Sequence, residues 1–180
     1  MKKQINKQRN QQPPTEYRGI QLQLRYDGVL FKYHDRQISG VIYKCAKRPG
    51  MILKRSMDGN DYFYNNFDEM KKLATKFPMF NKPYALVDKE QKIYSAEFIQ
   101  AARLFKSIPD PNKLKRLNEL AMIFYDLFDE GFYWDGNFYR NVFIDKKNDL
   151  RLCDVDSIKP LPPNTTFKDC YQWYWIIDNT

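Results

Sequence analysis

Histidine is nearly absent from this chain: one, His34, in 180 residues. That excludes a multi-histidine metal centre and argues against a serine–histidine hydrolase, whose base is an imidazole. His34 itself stands in a polar turn, KYHDRQ, with no partner residues for chemistry. Cysteine is scarce and odd in number: Cys45, Cys153 and Cys170 lie far apart. They cannot form a fully paired disulfide framework. Cys45 and Cys153 sit in apolar, strand-like contexts that suit buried free thiols, so a reducing, cytoplasmic compartment is expected. No apolar run has membrane-spanning length and no secretory segment is visible, so a transmembrane segment is not expected. Internal repeats are absent as well.

What remains is ample for a fold. The length suits one ordinary domain or two small lobes sharing a cleft. Hydrophobic residues make up 43% and aromatics 16%, enough for a core. The formal charge is +8 and the pI about 9.3. Part of that charge sits in residues 1–16, which carry four basic side chains, one acidic and almost nothing apolar. This segment reads as a disordered basic tail. The rest is mildly basic, which suits phosphate ligands or an anionic surface; binding to nucleic acid is not expected from it.

Along the chain, Ile20–Leu24, Val29–Tyr33, Val41–Cys45 and Met51–Lys54 read as strands of a meander with Gly and Pro at the bends. Asp61–Phe77 reads as a helix with Phe63, Phe67, Met70, Leu73 and Ala74 at helical spacing, stopped by Pro78. Tyr84–Val87 and Ile93–Ala96 are two further strands. Ala101–Phe105 reads as a short helical piece, and Pro109-Asp-Pro111 as a break. Leu114, Leu117, Ala121, Phe124 and Phe128 form one stripe of a helix over Lys113–Glu130, with Gly131 where a left-handed cap belongs. Asp169–Ile177 is a last helix candidate. Strands, one helix, two strands, a long helix and a hairpin make an α+β order, sheet-rich first and helical later.

The richest stretch is Gly131–Ser157, GFYWDGNFYRNVFIDKKNDLRLCDVDS. Asp135 lies six residues before Asn141. An apolar strand (Val142–Ile144), a polar turn and a second strand (Leu150–Cys153) then lead to Asp154. A hairpin thus gathers an acid, an amide and a second acid. That set can hold Mg²⁺ on a nucleotide phosphate beside a general base.

These motifs, in this order, resemble the protein kinase-like fold over about Gly19–Ile177. Gly40-Val41-Ile-Tyr-Lys-Cys45 resembles the strand leaving a glycine-rich loop, with the earlier glycines replaced among Asp35, Arg36 and Gln37. Met51-Ile-Leu-Lys54 resembles the Val-Ala-Ile-Lys strand, and the resemblance implies that Lys54 reaches the phosphates. Glu69 on the following helix, with Asp68 as fallback, would hold Lys54 by an ion pair. Ile93–Ile99 resembles the fifth strand and hinge: Ala96 would back the adenine pocket, with Glu97 and Ile99 lining it. Asn141 and Asp154 match the metal ligands most closely, and Asp156 replaces the glycine of Asp-Phe-Gly, giving Asp-x-Asp. In the pattern His-Arg-Asp-x-x-x-x-Asn the base position falls on Gly136. Tyr133-Trp134-Asp135 resembles Tyr-Arg-Asp with one extra residue, so Asp135 is the candidate base. Asp169 resembles an aspartate that braces the catalytic loop. Fourteen residues separate Asp154 from Asp169, and no Ala-Pro-Glu motif appears.

The resemblance therefore implies a bilobal α+β protein, with an N-lobe over residues 17–98 and a minimal or truncated C-lobe over residues 99–180. It implies ATP and Mg²⁺ as cofactors and phosphoryl transfer to a hydroxyl of a protein substrate. In size and degeneracy the chain resembles the minimal kinases and pseudokinases that some bacteria inject into host cells. On that placement the substrate is a host protein, the location the host cytosol, and a polyanion an activator. A pseudokinase, holding nucleotide or a partner without turnover, is the alternative that Gly136 and the thin glycine loop favour. A basic adaptor for nucleic acid or phosphoinositide is a third, favoured by the tail and by Lys113-Leu-Lys-Arg116. It leaves the order of the acidic residues and Asn141 unexplained.

Overall fold

The computed structural model describes residues 30–34, 40–45, 48–56, 60–105 and 112–170. The expected strand Ile20–Leu24, the residues 35–39 of the loop, the break at residues 109–111 and most of the final helix lie outside them.

β1 (Leu30–His34), β2 (Gly40–Cys45), β3 (Arg48–Ser56), β4 (Pro83–Asp88) and β5 (Ile93–Glu97) form one antiparallel sheet in the order β1-β2-β3-β5-β4. β3 is central, and its register with β2 sets Ile42 across from Lys54 and Val41 across from Arg55. Directly opposed residues share a face. Ile42 is therefore a β2 residue on the Lys54 face.

The helix expected over Asp61–Phe77 is two: α1 (Asp61–Asn65) and α2 (Phe67–Lys76). Asn66 separates them at φ −118°, ψ 37°. Its side-chain amide donates back to the Tyr62 carbonyl at 3.0 Å, a local bond that competes with helix propagation. Phe67, Met70, Leu73 and Ala74 form the buried face of α2. Phe63, Tyr64 and Phe67 meet Tyr94 of β5 at ring-centroid distances of 5.0, 6.0 and 6.4 Å. Such tilted pairs contribute roughly 0.5–1.5 kcal/mol each beyond area burial. They fix α1 and α2 against the sheet.

After β5 the chain does not form the short helix expected at Ala101–Phe105. It forms a strand, β6 (Ala101–Leu104), paired antiparallel with β8 (Val142–Asp145). Four residues are too few to nucleate a helix, while the edge of a hairpin offers ready backbone partners. α3 (Asn112–Asp129) is the long helix; Leu117, Leu120, Phe124 and Leu127 are buried, whereas Leu114 is exposed. Gly131 ends it at φ +86°, the left-handed cap read from the sequence. β7 (Phe132–Trp134), the single turn α4 (Phe138–Asn141), β8, β9 (Leu150–Leu152) and β10 (Ile158–Pro160) follow. β7 pairs with β10, and β6-β8-β9 make a three-stranded sheet.

One core runs through both halves, from Ile52 and Tyr94 to Leu152, Val155 and Ile158. Trp134 is fully buried at its centre, stacked on Phe124 at 5.9 Å and edge-on to Phe138 at 5.4 Å. The class is α+β, with a five-stranded antiparallel sheet preceding the long helix and the hairpin.

Candidate functional site

The hairpin register builds the site. Val142 pairs with Leu152, and the next step out is the bond from Cys153 N to the Asn141 carbonyl, 2.9 Å. Asn141 thus arrives beside Asp154: its Nδ2 donates to Asp154 Oδ2 at 2.5 Å. Asp154 is left-handed, at φ 63°, ψ 53°. A non-glycine residue there is uncommon, and aspartate is one of the few that tolerates it. The turn around it is held by four hydrogen bonds from three side chains. Trp134 Nε1 donates to the Asp154 carbonyl at 3.0 Å, Val155 N donates to Asn81 Oδ1 at 3.3 Å, and Asn60 Nδ2 donates to the carbonyls of Asp156 and Ile158 at 2.9 and 2.6 Å.

Lys54 reaches this turn from the central strand of the first sheet. Its Nζ lies 2.8 Å from Asp154 Oδ1 and 2.7 Å from Asp156 Oδ1. Lys54 and Asp156 are buried, and Asp154 is about one-fifth exposed. Burial alone works against the ammonium, but the Asp154 and Asp156 carboxylates more than offset it and hold the Lys54 pKa well above its ordinary value. Tyr94 Oη also donates to Asp156 Oδ1, at 2.8 Å. Burial, then the Asp156 charge, pushes the Tyr94 phenol well up, so it stays a donor. One ammonium between two carboxylates leaves the cluster one negative charge in excess. That excess, one carboxylate oxygen pair near solvent and an amide alongside fit a hard divalent cation such as Mg²⁺, which prefers oxygen ligands and retained water. Asn141 can present either its amide oxygen or its nitrogen, since the two are nearly isosteric.

Lys54, Asn141, Asp154 and Asp156 are therefore brought together. Glu69 is not. It is exposed on α2 and accepts from Tyr62 Oη at 3.0 Å, so the expected Lys54–Glu69 ion pair does not form. The reason is the break at Asn66 and the phase of α2: Phe67 and Met70 take the inward positions, and Glu69 falls on the outer side. Asp68 is exposed too. Tyr64 of α1 is a buried phenol pushed up by burial and by the Asp156 charge.

Asp135 is exposed and pairs with Lys159 of β10 at 2.5 Å. That hydrogen bond holds the Lys159 ammonium above the ordinary lysine value. Asp135 N donates to the Ser157 carbonyl at 2.9 Å, which ties the candidate base to the turn that carries Asp154 and Asp156. Gly136, where the motif pattern puts the base, is pressed against Trp134: an added Cβ would overlap the indole ring. Trp134 thus occupies the space, and the acid stands one residue earlier.

At the hinge, Ala96 is fully buried in the core and Ile99 is half-buried. Glu97 is committed elsewhere: Oε2 accepts from Arg151 Nη2 at 2.9 Å and from Lys82 N at 3.3 Å. The Gly40 backbone opens β2 opposite Ser56. Asp169 caps its own turn through Thr166 N and Oγ1, at 2.8 and 2.7 Å, instead of bracing the loop that carries Asp135. Sequence reasoning missed Ile42, Asn60, Asn81, Tyr94, Trp134 and Lys159. Strand register marks Ile42, but isolated amides and aromatics carry no periodic signal.

No family model matches the sequence, and no curated protein matches it. Solved structures do. The Rio2 kinase of Chaetomium thermophilum, in an ADP/Mg²⁺-phosphoaspartate complex, superposes with a TM-score of 0.60 at 12% identity, over 87% of this chain and 55% of that one. The Cydia pomonella granulovirus kinase PK-1 gives 0.54 at 16% identity, over 77% and 57%. The chain thus spans little more than half the length of each. The fold is protein kinase-like.

Proposed function

We propose that the cleft around Lys54, Asn141 and Asp154 binds Mg²⁺–ATP and transfers its γ-phosphoryl group to a hydroxyl of a protein substrate. The observation that carries this reading is the meeting of Lys54, Asn141 and Asp154 within 2.5–2.8 Å, from elements up to a hundred residues apart. The ADP and Mg²⁺ of the Rio2 kinase complex support the same choice of ligand. In this reading Lys54 neutralises phosphate charge, and Asn141 and Asp154 are the protein's ligands for Mg²⁺. Mg²⁺, when bound, screens the phosphate oxygens and stabilises charge that develops in transfer. The substrate oxygen attacks the γ-phosphorus, the bond to the bridging oxygen breaks, and ADP leaves. Asp135 accepts the hydroxyl proton. The protein's remaining work is positioning, with the Asp154 turn held by Asn60, Asn81 and Trp134.

A second reading is favoured by two observations: Asp135 is engaged by Lys159, and Gly136 leaves no acid in the motif's own position. The cleft would then bind nucleotide without turnover. Radiolabelled phosphate transfer to the protein itself and to a cell lysate separates the two. Transfer that is lost in Asp135→Ala supports the kinase. Nucleotide binding with no transfer under any condition, added polyanion included, supports the second reading.

A further inference from the structure

We propose that Asp156 anchors Lys54 in place of a helix carboxylate, so that the loop bearing the metal ligand also positions the phosphate-binding lysine, independently of α2. This rests on reading the cleft as a nucleotide site. A lysine that contacts phosphates on a central strand needs one carboxylate that stays with it when ligand arrives. Glu69 is exposed and bonded to Tyr62, so it is not that group. Tyr64, the nearby α1 residue, is a phenol.

Asp156 has every property the task requires. Its Oδ1 lies 2.7 Å from Lys54 Nζ, with both side chains under one-tenth exposed. The same oxygen accepts the Tyr94 hydroxyl at 2.8 Å, which fixes the carboxylate towards the lysine. Its backbone is pinned as well: the Asp156 carbonyl accepts Asn60 Nδ2 at 2.9 Å, and Asn60 precedes α1 directly. Asp154 is as close to Lys54, at 2.8 Å, and its carbonyl is held by Trp134, but its side chain differs in two respects. It is more exposed, and its other oxygen faces Asn141. The two aspartates of Asp-x-Asp thus divide the work, the outer one for the cation and the inner one for the lysine. Asp156 is a positioning residue and not a third metal ligand. Neither carboxylate of α2, Asp68 or Glu69, then pairs with Lys54.

The test reads Lys54 directly, without requiring activity. A buried, hydrogen-bonded ammonium exchanges slowly enough to appear in ¹H–¹⁵N spectra of lysine side chains, and Lys54→Met assigns the signal by its loss. In the nucleotide-free protein, Asp156→Asn should abolish or broaden the Lys54 signal, while Glu69→Gln and Asp154→Asn should retain it. Loss of the signal in Glu69→Gln, or in Asp154→Asn but not Asp156→Asn, overturns the proposal. Asparagine is isosteric and keeps an acceptor for Tyr94. If that variant still fails to fold, Tyr94→Phe removes only the second donor and should shift the signal; no shift overturns the proposal. Adding ATP and Mg²⁺ to the wild type should move the signal without abolishing it. Should ATP leave it unmoved, the nucleotide reading fails, while the anchor result in the free protein stands on its own.

Discussion

Gly136→Ala should be far more damaging than a single methyl suggests. The added carbon would overlap the Trp134 indole, which is fully buried, stacked on Phe124 at 5.9 Å and edge-on to Phe138. The ring is flanked by Phe80, Phe124 and Phe138, so the cost is that of overpacking, roughly 1–3 kcal/mol. Moving the ring also loosens the Trp134–Asp154 hydrogen bond, about 1 kcal/mol, and part of the Phe124 stack, about another 1. The sum is roughly 3–5 kcal/mol, or a fall in Tm of about 10 °C for a domain of this size. Thermal unfolding followed by circular dichroism measures it. Gly50→Ala is the control, because nothing lies within 4 Å of a Cβ there, and it should stay within about 0.5 kcal/mol of wild type. A Gly136→Ala protein as stable as wild type would refute the packing of Trp134 under the Asp154 turn. Gly136→Asp, which restores the motif's acid, should likewise destabilise the fold instead of creating a base.

Lys54→Met leaves Asp154 and Asp156 facing each other in a largely buried site, and should cost about 3–5 kcal/mol in urea unfolding. The Lys54 pKa is raised on folding, so its contribution is fully present below the ordinary value of 10.5 and is lost only as pH rises through the folded value. The wild type–variant gap should therefore be constant from neutral pH to mildly alkaline pH and shrink only beyond 10.5; a gap that shrinks earlier contradicts this. Asp135→Ala breaks an exposed pair with Lys159, so stability should change by less than about 1 kcal/mol. If Asp135 is the base, the phosphoryl-transfer rate should nonetheless fall about a hundredfold or more, and an equal rate removes that role. Burial pushes the Cys153 thiol up to about 12, so iodoacetamide near neutral pH should label it much more slowly in the folded protein than in urea, read by peptide mass spectrometry.

Much of the fold was legible where a local signal was strong. Gly131 closes α3 because only a left-handed residue fits there, and β3, β5, β8 and β9 follow from apolar runs bounded by turns. Ala101–Leu104 was misread because its helical propensity is local, while its partner β8 lies some forty residues on. The division at Asn66 lies in the dihedrals of one residue, whose amide bonds back to Tyr62, and apolar periodicity does not register it. The site was legible as residue types in order: Lys54, Asn141, Asp154 and Asp156 do converge. The partner of Lys54 was not: Glu69, with Asp68 as fallback, was expected, and the phase of α2 and the position of Tyr94, which leave that place to Asp156, do not show in the sequence.

The central claim is that Lys54, Asn141 and Asp154 form a Mg²⁺–nucleotide site, and nucleotide-dependent stability tests it most directly. A ligand that binds only the folded state stabilises it by about 2.7 kcal/mol at a hundred times its Kd. ATP with Mg²⁺ should therefore raise the Tm by several degrees, ATP with EDTA by less, and Asp154→Ala should erase the difference between the two. No shift at millimolar ATP and Mg²⁺, in a protein that unfolds cooperatively, would contradict the account.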